Sequence, residues 1–112
     1  EYTNVGGVVT VTNAGIYEVT YRTQFETNGI SGGTRSTFSG QVELNEVQVP
    51  GSRSSCYIRE QASSLVGPGC GKTVFVTAAA SDNIRVTFSR TVGTSVGQTK
   101  TGESSVTIKR LR

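Results

Sequence analysis

Any chemistry in this chain must come from a short roster of side chains. Its 112 residues include no histidine, so neither a Ser-His-Asp nor a Cys-His nucleophile can be assembled. Carboxylates are sparse: Glu43 and Glu46 lie near one strand end, while Glu60 and Asp82 stand apart. Glycoside hydrolysis needs two carboxylates facing each other across a cleft, which a single small sandwich rarely builds. We read these acids as solvated strand faces and turns, and the domain as non-enzymatic, with no catalytic residue.

One segment imitates a phosphate-binding loop, Gly67-Pro-Gly-Cys-Gly-Lys-Thr73. The full motif needs a glycine five residues before Gly71, where this chain has Val66. The mechanism also needs a helix N-terminus after the loop to hold the phosphates. The run Thr73-Val-Phe-Val-Thr77 stands there instead, β-branched and alternating. The segment is read as a Gly-Pro turn entering a strand, with no nucleotide or other cofactor.

Cys56 and Cys70 are the only two cysteines. Two thiols without histidine make a poor metal site, because zinc takes four ligands. The pair is either a disulfide across a hairpin or two free, partly buried thiols. Compartment decides between them, and an extracellular or virion surface location favours the bond. A loop this short would gain about 3 kcal/mol from closure. Six of the eight arginines, at 22, 35, 53, 59, 85 and 90, read mainly as surface ion-pair partners. Arg35 and Arg53 sit beside loops, where binding residues concentrate, and are the candidate ligand anchors.

The elements that carry these residues are strands. Thr, Ser, Val and Gly make up more than half the chain. β-branched residues favour strands, and Gly and Ser favour the turns between them. No window has a helical period. In Lys72–Phe88, Ile84, Val86 and Phe88 alternate with Asn83, Arg85 and Thr87, and the segment reads as two strands joined by a turn at Ser81-Asp82-Asn83. Further strands are expected at 8–12, 16–25, 37–45, 47–49, 56–59, 64–66 and 105–111. In the second of these, Tyr17, Val19, Tyr21 and Phe25 share one face. In the third, Phe38, Val42 and Leu44 point inward. Gly-rich loops are expected at 28–33 and 92–102. About eight to ten short strands without crossover helices make an all-β antiparallel sandwich or barrel.

The size fits one domain, residues 1–112. The net charge of +3 is too mild and too scattered to imply nucleic acid. No apolar run is long enough to insert in a membrane. The opening Glu1-Tyr-Thr-Asn reads as the middle of something, so the chain is taken as the C-terminal part of a longer protein.

Four phrases in order resemble one family. Ala14-Gly-Ile-Tyr-Glu-Val-Thr-Tyr21 resembles the opening strand of the tumour necrosis factor and complement globular-head jelly rolls. Leu44-Asn-Glu-Val47 resembles a strand end of that family, Val76–Ile84 its hairpin, and Ser105–Leu111 its closing strand. The chain departs from the pattern at Glu46 and Ser81, where the family usually has glycine. The resemblance implies a jelly-roll sandwich, short of one N-terminal strand, that assembles as a homotrimer. It also implies the head of a viral (phage) spike or bacterial surface fibre that docks a host cell-surface receptor or glycan. The aromatic face of Tyr17, Tyr21 and Phe25 would then be core or subunit interface. Two alternatives remain: a carbohydrate-binding module of a secreted protein, although the chain has no Trp platform, and a purely structural trimerising cap.

Overall fold

The computed structural model describes residues 2–5, 7–23, 25–27, 35–59, 69–92, 97–99 and 105–112. Among these there is no helix, and eleven strands succeed one another: β1 (Tyr2–Val5), β2 (Val8–Val11), β3 (Gly15–Thr23), β4 (Phe25–Thr27), β5 (Arg35–Leu44), β6 (Val47–Gln48), β7 (Ser54–Arg59), β8 (Cys70–Ala78), β9 (Asn83–Val92), β10 (Gly97–Thr99) and β11 (Ser105–Arg110). β1 and β10 are additional to the strands expected from alternation, β10 falls inside the expected loop 92–102, and the strand expected at 16–25 ends at Thr23, with Phe25 belonging instead to β4. The expected strand at 64–66, the loop at 28–33 and Glu60 lie outside the described residues.

The larger sheet has the order β1-β2-β9-β5-β6, with β7 alongside the first half of β5. The smaller sheet is β11-β3-β8, and β10 pairs with β4 in a separate ribbon. Every pairing among these strands is antiparallel. The chain changes sheet at most connections. β2 leads across to β3, β3 back to β5, β7 across to β8, β8 back to β9, and β9 across to β11.

That path corrects one expectation. β8 and β9 are joined by a short turn, as expected, but they do not pair as a hairpin. β8 pairs with β3, while β9 lies between β2 and β5. Alternation reports which face of a strand is buried, not which strand lies beside it. Both strands have one apolar face, Val74, Val76 and Ala78 on β8 and Ile84 and Val86 on β9, and the two faces meet across the sandwich. The same holds for Cys56 and Cys70, which do not flank a hairpin. β7 belongs to the larger sheet and β8 to the smaller.

The core lies between the sheets. Tyr17, Val19 and Tyr21 of β3 are fully buried with Val11, Val42 and Ile84 of the facing sheet. Phe38 is buried and Leu44 packs against the core, as their alternation predicts. Burying the Tyr21 ring also buries its hydroxyl, and an unbonded hydroxyl there costs about 1–3 kcal/mol. It lies 2.8 Å from the Gly40 carbonyl and 2.7 Å from that of Ser52. The ring packs edge-on to Phe88 at 6.1 Å. Gly40 makes this approach possible, because a Cβ there would sit 2.8 Å from the Tyr21 ring and 2.9 Å from Phe88.

Two corners close one end of the sandwich. The backbone N–H of Val11 donates to the Asp82 carbonyl and that of Ser81 donates to the Val11 carbonyl, so the β2 end and the β8–β9 turn hold each other. In that turn the Asp82 N–H donates to the Ala79 carbonyl, and Ser81, its third residue, has φ 74°. A positive φ at this position is the type II pattern that glycine suits. The β5–β6 hairpin turns on Asn45 (φ 50°) and Glu46 (φ 70°). Two positive-φ residues there give a type I′ turn, for which Asn-Gly is the preferred pair. The two departures from the family's glycines therefore both fall at backbone positions that favour glycine.

Candidate functional site

The disulfide is formed. Cys56 and Cys70 are bonded, with their Cα atoms 5.5 Å apart. Both are buried against Phe38, with Phe88 alongside. The bond ties the larger sheet to the smaller one, which makes it a structural clip rather than a reactive centre. The Gly71-Lys72-Thr73 sequence lies in the extended run of β8, opposite Arg22, Tyr21 and Thr20 of β3. The Thr73 hydroxyl meets that of Thr20 at 2.8 Å. This extended strand offers no helix N-terminus to hold a phosphate.

The candidate ligand anchors are not brought together. Arg35 opens β5, where its backbone pairs with Arg59. Arg53 is exposed just before β7, next to the Gly40–Ser54 pair at the other end of the same ladder. About six residues of strand separate the two, roughly 20 Å.

The expectation of solvated carboxylates fails at Glu43, which is 7% exposed. The reason lies in the register, which sets Glu43 directly opposite Arg85 and Gln41 opposite Thr87 on the outer face of the larger sheet. The Gln41 amide donates to Glu43 Oε2 at 2.7 Å, and Thr87 Oγ1 donates to the same oxygen at 2.8 Å. Arg85 Nε donates to Oε1 at 2.8 Å, with Nη2 also at 2.8 Å. The Gln41 amide chiefly, then Thr87 and Arg85, hold the Glu43 carboxyl below its ordinary range, against the opposing effect of burial. It is therefore an ionised, fully engaged acceptor, unsuited to giving or taking a proton near neutral pH. Sequence reasoning misses this cluster because Gln41, Glu43, Arg85 and Thr87 become neighbours only through the pairing of β5 with β9.

Beside the cluster lies a shallow polar recess of about 370 Å³, lined by Val8, Asn45, Glu46, Asn83 and Arg85. Its rim is cross-linked. Asn45 Nδ2 donates to Asp82 Oδ1 at 3.0 Å, and the Asn83 N–H donates to Asn45 Oδ1 at 2.9 Å. Asp82 Oδ2 accepts from the Ala79 N–H. The Asn45 amide and that N–H hold the Asp82 carboxyl below its ordinary range. These bonds lock the β5–β6 turn to the β8–β9 turn. Glu46 stands apart from them, its side chain 81% exposed, with Oε1 4.0 Å from Arg85 Nη1.

A second feature is apolar. Val47 is 68% exposed and Phe75 63%. Between them runs a groove of about 300 Å³ walled by Leu44, Val49, Pro50 and Val76. By contrast the aromatic face of β3 is core rather than interface: Tyr17 and Tyr21 are both wholly buried. The Phe25 side chain lies outside the described residues. Among the described residues no group of three or more Cys, Asp or Glu could hold a metal ion, and no helix is long and apolar enough to cross a membrane.

No protein-family model matches this chain, and no curated protein matches it.

Proposed function

We propose that this domain is a non-enzymatic recognition head that works as a homotrimer on an extracellular or virion surface, at the end of a spike or fibre, docking a host cell-surface receptor or glycan. The observation that carries the reading is the strand order. With β2, β3, β5, β7, β8, β9 and β11 taken in sequence, one sheet reads first-sixth-third-fourth and the other seventh-second-fifth. The second to eighth strands of an eight-strand jelly roll follow the same order. The disulfide, which suits an oxidising compartment, supports the location. Val47 and Phe75 are the exposed apolar side chains that a self-associating face would cover. Three linked heads convert weak single-site contacts into useful avidity.

Light scattering on the purified domain at tens of micromolar tests the assembly, with a trimer expected. Adhesion of the trimer to host cell surfaces tests recognition. A clean monomer that leaves those surfaces bare would remove the reading.

A further inference from the structure

We infer that the recess lined by Val8, Asn45, Glu46, Asn83 and Arg85 is a carbohydrate-binding site that reads adjacent hydroxyls of a neutral sugar. This rests on the recognition reading above and gives it a location and a ligand class. Arg85 Nη1 and Glu46 Oε1 stand 4.0 Å apart. That is too long for a hydrogen bond. It is the right span for a hydroxyl set about 2.8 Å from each, accepting from Nη1 and donating to Oε1. A hydroxyl does both at once, whereas a carboxylate, phosphate or ammonium group cannot.

The rest of the recess matches a polyol. Arg85 is already positioned, because its Nε and Nη2 are engaged by the buried Glu43 carboxylate, leaving Nη1 on the recess side. Asn83 Oδ1 accepts from Thr10 at 2.8 Å, which leaves its amide N–H groups as donors for a neighbouring hydroxyl. Val8 supplies an apolar wall for a sugar's C–H face. Glu43 already balances the Arg85 charge, so with Glu46 alongside the recess carries no net positive charge, which disfavours an anionic ligand. The volume of about 370 Å³ is within the range of small-molecule sites. The rim is rigid, since Asn45, Asp82 and Asn83 lock two turns together before any ligand arrives, and preorganised groups lose less on binding.

Glu46 itself adds an observation of a different kind. It stands at φ 70° in a turn that would accept glycine more readily. Replacing it with glycine should therefore separate stability from binding.

The test is a titration of the isotope-labelled full chain with methyl glucoside, methyl galactoside and N-acetylglucosamine, followed by amide NMR shifts. At least one sugar is expected to move the amides of Val8, Asn45, Glu46 and Asn83. Glu46→Gly is expected to weaken that sugar at least about tenfold while raising the melting temperature. Sugar-induced shifts that map instead to the Arg53 loop or the Val47–Phe75 groove would overturn this site and leave the recognition reading standing. So would Glu46→Gly binding as tightly as the wild type. No shift with any of the three sugars, on a chain that still adheres to host surfaces, would overturn the sugar assignment alone. Loss of both would overturn the two together.

Discussion

At the scale of single residues, the left-handed positions are the most testable feature. An L-residue there costs roughly 1 kcal/mol more than glycine. Glu46→Gly and Ser81→Gly should each raise stability by about 1 kcal/mol in thermal or denaturant unfolding. An unchanged or lower midpoint for both would mean that the turns are not strained as described. Gly40 has the opposite sign. Gly40→Ala forces a methyl against the Tyr21 and Phe88 rings and should cost about 1–3 kcal/mol, the usual penalty of overpacking. Glu43 adds a pH signature. Its folded pKa lies below the ordinary glutamate value of 4.5, so its stabilising effect is complete above that value. The effect is lost as pH falls through the lower folded value. Glu43→Gln should flatten this part of the stability–pH curve and cost about 1–2 kcal/mol at neutral pH, through lost charge-assisted bonds from Thr87 and Arg85. An acid limb of the same steepness in the variant would sink the assignment.

Among elements, the informative joint is between β7 and β8. The polypeptide between them crosses from one sheet to the other, and the Cys56–Cys70 bond repeats that crossing covalently. Opening the bond frees a loop whose closure contributes about 3 kcal/mol. The double replacement Cys56→Ser, Cys70→Ser should therefore lower unfolding stability by about that amount, and reductant should do the same to the wild type but not to the variant. Equal stability of oxidised and reduced protein would show that the sheets are held by packing alone. Much of the element level is legible in alternation. It assigns Tyr17, Val19 and Tyr21 to one face of β3, and Phe38, Val42 and Leu44 to one face of β5, and those faces are the buried ones. The pairing of β8 and β9 is not legible in this way. A short polar turn usually makes a hairpin, and here it makes a corner between sheets.

For the whole molecule, the Val47–Phe75 groove is the place to test assembly. Phe75 lies on the outer face of β8, away from the core, so Phe75→Glu should leave folding within about 0.5 kcal/mol of wild type. If the domain is a trimer through this surface, the variant should be monomeric by light scattering at concentrations where the wild type is not. A variant that stays trimeric would move the interface elsewhere. The clustering of polar groups at Glu43 also belongs to this scale. Gln41 and Glu43 come from one part of the chain and Arg85 and Thr87 from another, and only the antiparallel register joins them.

The chain's own residues determined that it is all-β, which strand faces are buried, and that Cys56 and Cys70 had a short loop to close. These properties depend on local composition and a two-residue period, which any stretch of sequence carries by itself. Strand order, the bridging of sheets by the disulfide, the burial of Glu43, the separation of Arg35 from Arg53 and the recess beside Arg85 were decided only by tertiary structure. Each depends on which strand lies beside which and in what register. Those choices are made by long-range burial of apolar faces, which no local pattern encodes.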